Sequence, residues 1–335
     1  MQLRSCGLSI LANKMVTVFV WGILTFEAAV YCEKQLVDFS SIILNPQRNV
    51  QPPSLGAAPE IDSSEHGVTP GKRKTSCSCG TANRDEARIV GGRHMRPHEY
   101  PFLAALSFSP SPLIPRCGAT IISNRHALTA AHCTNAVGGD VSLFVIVGEH
   151  VIGNSPKSYA VEVERLIQHE YYNNKNYSND ISLLYLETPL RLTEIVSVAC
   201  MPLPGLSVIG EYVRVLGWGA TKFKGLMTFY PQKVDLRVID TQKCHDYWPF
   251  NVGTEPITQI CTMTKNRSPC QGDSGGPVVW LDPDTNRYTI VGIVSGGPAC
   301  DGSSPTIHTS VISYLPWILN GIEATSPGLK LCTKL

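Results

Sequence analysis

The chain is poor in charge. Only 16% of its 335 residues are Asp, Glu, Lys or Arg, and 28 basic against 27 acidic residues leave a formal charge of +1. That balance excludes a nucleic-acid binder that relies on bulk positive charge. With 43% hydrophobic residues the chain is also too apolar to be disordered throughout. Beyond an apolar run near the start, no stretch reaches about 18 apolar residues, so no later segment is expected to span a membrane. Paired C-x2-C knuckles are absent, and no histidine stands at zinc-finger spacing from Cys77 and Cys79, the closest cysteines. A structural zinc site is therefore disfavoured. Regular alternation of helical and strand patterns is also missing, which argues against a doubly wound α/β sheet.

What the chain has in quantity is cysteine (12), glycine (28) and proline (24). The cysteines read as disulfides of an oxidising compartment. The amino-terminal residues agree: Arg4 and Lys14 precede the apolar run Met15 to Phe26, and Glu27-Ala28-Ala29 supplies small residues for cleavage. Residues 1–29 are thus expected to be a secretory signal peptide, with a membrane anchor as the alternative. Residues 30–88 are rich in Pro, Ser and Gly without sustained periodicity and are expected to be a largely disordered propeptide or linker. From Ile89 the texture changes. Apolar bursts recur at Phe102–Phe108, Leu143–Val147, Ala160–Ile167, Ile181–Leu186, Tyr212–Leu216, Val234–Ile239, Val278–Leu281 and Ile290–Val294, separated by turn residues. This is the pattern of an all-β sandwich or barrel, with one helix expected over Val311–Glu323.

Three segments carry chemistry together: Leu128-Thr-Ala-Ala-His132-Cys133, Ser178-Asn-Asp180-Ile-Ser-Leu-Leu, and Cys270-Gln-Gly272-Asp273-Ser274-Gly-Gly-Pro277. A hydroxyl is a poor nucleophile at neutral pH; it needs a base within reach, and the base needs a third group to fix its tautomer. Histidine suits the first role and a carboxylate the second. Glycines around Ser274 let the backbone turn sharply and offer N–H groups to a developing oxyanion. Each segment alone reads as structural; their combination does not.

The segments TAAHC, NDISLL and GDSGGP, with RIVGG at 88–92 and LGWG at 216–219, resemble the chymotrypsin-like (trypsin-family) serine proteases. The CSCG run before RIVGG and the late Cys332 resemble the secreted arthropod branch that includes insect venom proteases. The resemblance covers about Arg88 to Glu323 and implies two six-stranded antiparallel β-barrels with a C-terminal helix, the protease domain being residues 89–323 and the tail 324–335. It implies His132 as base, Asp180 as its orienter and Ser274 as nucleophile, with the N–H groups of Gly272 and Ser274 as the oxyanion hole. It also implies the disulfides Cys117–Cys133, Cys244–Cys261 and Cys270–Cys300, and pairs Cys200 with Cys79 or Cys77, leaving Cys32, Cys332 and the other of Cys77 and Cys79 without an assigned partner. A catalytically silent homologue acting as a binding or cofactor protein is the alternative.

By the same resemblance, Arg88-Ile89 is an activation site, and a freed Ile89 ammonium would pair with Asp273. The pocket floor falls to Ser268, where trypsin-like enzymes carry Asp, and the walls to Ser295, Gly297 and Thr306. An uncharged floor leaves a cationic side chain uncompensated, so apolar residues are expected in preference to Arg or Lys. Gly296 stands where the family has Trp. Asp301 and Asp282 are the acids that could substitute for the missing floor charge. After Glu149 no second acid precedes Glu162, so no metal and no cofactor are expected. Asn176-Tyr-Ser178 is a glycosylation sequon, as is Asn266-Arg-Ser268. Expected partners are protein or peptide substrates, a trypsin-like activating protease and serine protease inhibitors, with neither nucleic acid nor membrane.

Overall fold

The computed structural model describes residues 66–83, 94–135, 142–253, 257–297 and 300–335, all within one compact unit, Leu55–Leu335. Twelve strands dominate: β1 (Leu103–Ser107), β2 (Cys117–Ile121), β3 (His126–Thr129), β4 (Phe144–Val147), β5 (Tyr159–Gln168), β6 (Ser182–Leu186), β7 (Tyr212–Gly217), β8 (Gln232–Ile239), β9 (Gln259–Thr262), β10 (Pro277–Asp282), β11 (Arg287–Gly296) and β12 (Thr306–Ser310). The helices are short: α1 (Ala131–Thr134), α2 (Thr241–Tyr247) and α3 (Leu315–Thr325). The strands close into two antiparallel barrels, ordered β1-β2-β3-β6-β5-β4 and β10-β11-β12-β9-β8-β7.

Strand patterns follow their place. β8 alternates, with Leu236 and Val238 turned inward and Asp235 and Arg237 outward, as a half-buried strand should. β1 is buried along its whole length and reads Leu-Ala-Ala-Leu-Ser; its small residues admit close neighbours on both faces. Phe102, Leu106, Ile121, Leu128, Ile146 and Leu183 lie in the core around the first barrel. Val213, Val215, Leu236, Val238, Val278 and Val291 fill the second. α3, expected at 311–323, begins at Leu315 with Pro316 in its first turn, and buries Leu315, Ile318 and Ile322.

The two barrels are joined by a buried polar cluster. The Arg214 guanidinium donates to both Asp235 oxygens at 2.6 and 2.9 Å, and to the hydroxyls of Tyr100 and Tyr288 at 2.7 and 3.0 Å. Tyr100 leads into the first barrel, so one satisfied cation ties both halves.

Residues 66–83 depart from the disordered segment expected over 30–88. Gly71 N donates to Thr285 O, Gly80 N to Val198 O, and Tyr288 N to Gly80 O, each at 2.8 Å. Cys79 is bonded to Cys200 and is fully buried. Cys332, to which the sequence assigned no partner, is bonded to Cys77. Backbone bonds that cross to another segment order a stretch whose composition alone would leave it loose. Cys32 and residues 1–29, the expected signal peptide, lie outside the described residues. No helix among the described residues is long and apolar enough to cross a membrane.

Candidate active site

His132 sits on α1, the single helical turn that follows β3, and the Cys117–Cys133 disulfide ties this turn to β2. Asp180 ends the loop before β6 and is fully buried. Its carboxylate accepts from His132 N at 2.8 Å, from His132 Nδ1 at 2.8 Å and from Ser295 Oγ at 2.6 Å. Its main-chain carbonyl accepts from Thr309 Oγ1 at 2.7 Å. Ser295 belongs to β11 and Thr309 to β12, so a residue of the first barrel is held by the second. Three donors satisfy this buried carboxylate. With Nδ1 donating to Asp180, the neutral imidazole carries its lone pair on Nε2. Nε2 lies 3.7 Å from the disulfide sulfur of Cys133, which has no proton to give.

Ser274 lies in the loop that opens β10. Its carbonyl accepts from Gly118 N at 2.7 Å, and Gly275 N donates to Val294 O at 2.8 Å, fixing the loop to both barrels. Gly275 has φ +75°, and a Cβ there would lie 2.3 Å from Thr129 Oγ1, so no other residue fits. Among the described residues, neither Gly272 N nor Ser274 N donates to a protein acceptor.

Asp273 points away from this site. Its oxygens accept from Gly219 N at 2.8 Å and Cys270 N at 2.9 Å. Burial pushes its pKa up to about 6, against the pull of those two N–H groups. A Cβ at Gly219 would fall 2.3 Å from the carboxylate, which explains the glycine in Leu-Gly-Trp-Gly. Arg88 and Ile89 lie outside the described residues.

His132 and Ser274 border one cavity of about 470 Å³. A family model described as Trypsin matches residues 89–318. The chain is 36% identical to venom serine protease 34 of Apis mellifera over 74% of its own length and 62% of that relative's. It is 33% identical to a venom serine protease of Polistes dominula, over 74% of this chain and 89% of that one. It is 32% identical to the clotting factor G beta subunit of Tachypleus tridentatus, over 69% and 78%. The chain belongs to the trypsin family of serine endopeptidases.

In this trypsin-family chain Pro269, Cys270, Gly297 and Thr306 are among the residues that line the cavity. Ser268, the expected floor, stands behind Thr306. Its Oγ lies 2.9 Å from the Pro269 carbonyl and 3.1 Å from Thr306 Oγ1, and it is Thr306 that borders the space. Neither candidate substitute acid borders the cavity. Asp301 is exposed and accepts from Ser303 N and Oγ at 2.9 and 2.7 Å. Asp282 is buried and 3.2 Å from Lys334 Nζ. The disulfides Cys244–Cys261 and Cys270–Cys300 brace the flanking loops. The donor atoms of Cys117, His132 and Cys133 cluster closely, but the two sulfurs are bonded to each other and offer no thiolate.

Sequence reasoning missed Tyr177, Trp248 and Asn251, which also border the cavity. The Tyr177 ring meets the His132 ring edge-on at 5.5 Å. Their signal was weak: aromatic residues in polar loops, close in sequence to Asp180 and Cys244.

Proposed function

We propose that this chain is a secreted serine endopeptidase made as a zymogen, with His132, Asp180 and Ser274 as its triad. The observation that carries the reading is the grip of Asp180 on the backbone N–H and the ring Nδ1 of His132, beside a cavity shared with Ser274. Ser274 Oγ attacks the scissile carbonyl carbon while His132 Nε2 takes its proton. The N–H groups of Gly272 and Ser274 receive the oxyanion. The imidazolium then protonates the leaving amine, and a water deprotonated by His132 hydrolyses the acyl-enzyme. Asp180 orients His132 and stabilises the imidazolium.

Cleavage after Arg88 would free the Ile89 ammonium. Asp273 supports this switch, because a desolvated carboxylate with a raised pKa gains most from a cation. An uncharged pocket bordered by Thr306 favours apolar residues before the scissile bond. The five disulfides among the described residues agree with secretion, the chain being organised as a signal at 1–29, a propeptide at 30–88 and a protease domain at 89–323. The partners are protein substrates, a trypsin-like activator and protease inhibitors; Asn176 would carry a glycan.

The test is hydrolysis of an unfolded protein by the chain cleaved at Arg88. Ser274→Ala should lose nearly all turnover, and Asp180→Asn should lose on the order of 10⁴, the size established for such triads. Turnover that survives Ser274→Ala would overturn the reading.

A further inference from the structure

The loop between β7 and β8, residues 218–231, is apolar where it meets water. Phe223 is 51% exposed, Leu226 92%, Phe229 69% and Tyr230 49%. Single exposed apolar residues are ordinary; four in one loop are not. Lys222 and Lys224 are exposed beside them, and the loop holds no Asp or Glu. Lys224 Nζ lies 5.6 Å from the centre of the Phe223 ring.

This apolar tip stands on fixed roots. Ala220 N donates to Gln271 O at 2.8 Å, Lys224 N to Gln271 Oε1 at 3.2 Å, and Thr228 N to Trp218 O at 2.9 Å. Met227 packs inward on the core, where a Cβ at Gly272 would meet its Cγ at 2.8 Å. Ile152 N donates to Phe229 O at 3.0 Å, which joins the loop to the one after β4. The Tyr230 ring lies 5.9 Å from the rings of His94 and His150. Burial lowers the pKa of His150 and of its neighbour His98, so lysines carry the charge of this face at neutral pH. The acids that act on these histidines are occupied. Glu99 is buried against Lys233 Nζ at 2.7 Å, and Glu149 accepts from Gly153 N at 3.0 Å.

We propose that residues 222–230 are a docking loop for an anionic lipid surface. Lys222 and Lys224 meet the headgroups, while Phe223, Leu226, Phe229 and Tyr230 enter the boundary with the acyl chains. Side chains this exposed need no concave complement, because a lipid surface yields around them. Carboxylates, which an anionic surface repels, are missing from the loop. The expectation of no membrane partner rests on spanning runs, and a loop this short docks without spanning. Gln271 also lines the cavity, so a docked chain holds its cavity beside the lipid. Ser274 takes no part in docking, so the proposal stands apart from the endopeptidase reading.

The experiment measures co-sedimentation of the secreted chain with vesicles. Ser274→Ala prevents self-digestion, and sequencing of the amino terminus shows that the run Met15 to Phe26 is absent. Vesicles of phosphatidylcholine with phosphatidylserine should retain the chain about tenfold more strongly than phosphatidylcholine alone. Leu226→Ser with Phe229→Ser should weaken binding to the anionic vesicles by about tenfold or more. Lys222→Gln with Lys224→Gln should also cost about tenfold, and should reduce the sensitivity of binding to salt. All four side chains are exposed, so the melting midpoint of each variant should match the parent. A parent chain that ignores anionic vesicles overturns the proposal, as does equal binding to both lipids or binding that either pair of substitutions leaves intact. A dimer formed without lipid and abolished by Leu226→Ser with Phe229→Ser assigns the loop to a second copy of the chain and overturns it too.

Discussion

At the scale of single residues, Asp180 and Ser268 show opposite uses of a polar group. Asp180 is buried with three donors on its carboxylate, one of them the Ser295 hydroxyl across the cleft. Ser268 is neutral, and its hydroxyl shares a hydrogen bond with Thr306. Ser268→Asp should therefore move preference toward Arg only in part, because Thr306 stands between the new carboxylate and the cavity. Adding Thr306→Gly should complete the shift by a further tenfold or more, since an unpaired buried charge costs several kcal/mol. The ratio of kcat/KM for Arg and Leu amides reads this; an unmodified enzyme that already favours Arg would contradict it. The positions of the proposed triad are legible because three local motifs carry them. Tyr177 and Trp248 are not, since their approach to His132 depends on loops whose course is set by tertiary bonds such as Asn251 to Asn176.

At the scale of elements, the strands that sequence reasoning found were the apolar ones. β2 (CGATI), β3 (HALT), β9 (QICT) and β12 (TIHTS) were missed because they are short and carry polar residues inside. His308 and His126 are buried there, and burial lowers their pKa to about 3 and about 4. The amino-terminal segment was misjudged for a related reason: its order comes from Cys77–Cys332, Cys79–Cys200 and bonds to distant backbone, none of which leaves a periodic signal. Cleavage after Arg88 should consequently release nothing under non-reducing conditions. Cys79→Ser alone should keep the segment attached through Cys77–Cys332, and only Cys77→Ser with Cys79→Ser should free it covalently. Electrophoresis with and without reductant distinguishes these cases; release from the Cys79→Ser chain would contradict the second tether.

At the scale of the whole molecule, Asp273 links the fold to the proposed activation cleavage. In the uncleaved chain, burial raises the Asp273 pKa to about 6. The folded state then holds this proton more tightly than the unfolded state, so the group costs stability as pH rises from about 4 through 6. Pairing with a freed Ile89 ammonium reverses the sign: the carboxylate pKa falls, and stability is present above the unfolded value and lost on acidification. Buried His126 and His308 lose stability as pH falls below 6.5 in both forms, so they cancel in the difference. The melting midpoint of the cleaved chain minus that of Arg88→Gln, both carrying Ser274→Ala, should widen from pH 5 to pH 7.5. A gap independent of pH would remove Asp273 from the switch. The central claim, that Ser274 is a nucleophile activated by His132, is tested most directly by fluorophosphonate labelling mapped by mass spectrometry. The chain cleaved at Arg88 should take the label on Ser274, and His132→Ala should take almost none; no label on Ser274, or equal labelling of both proteins, would contradict it.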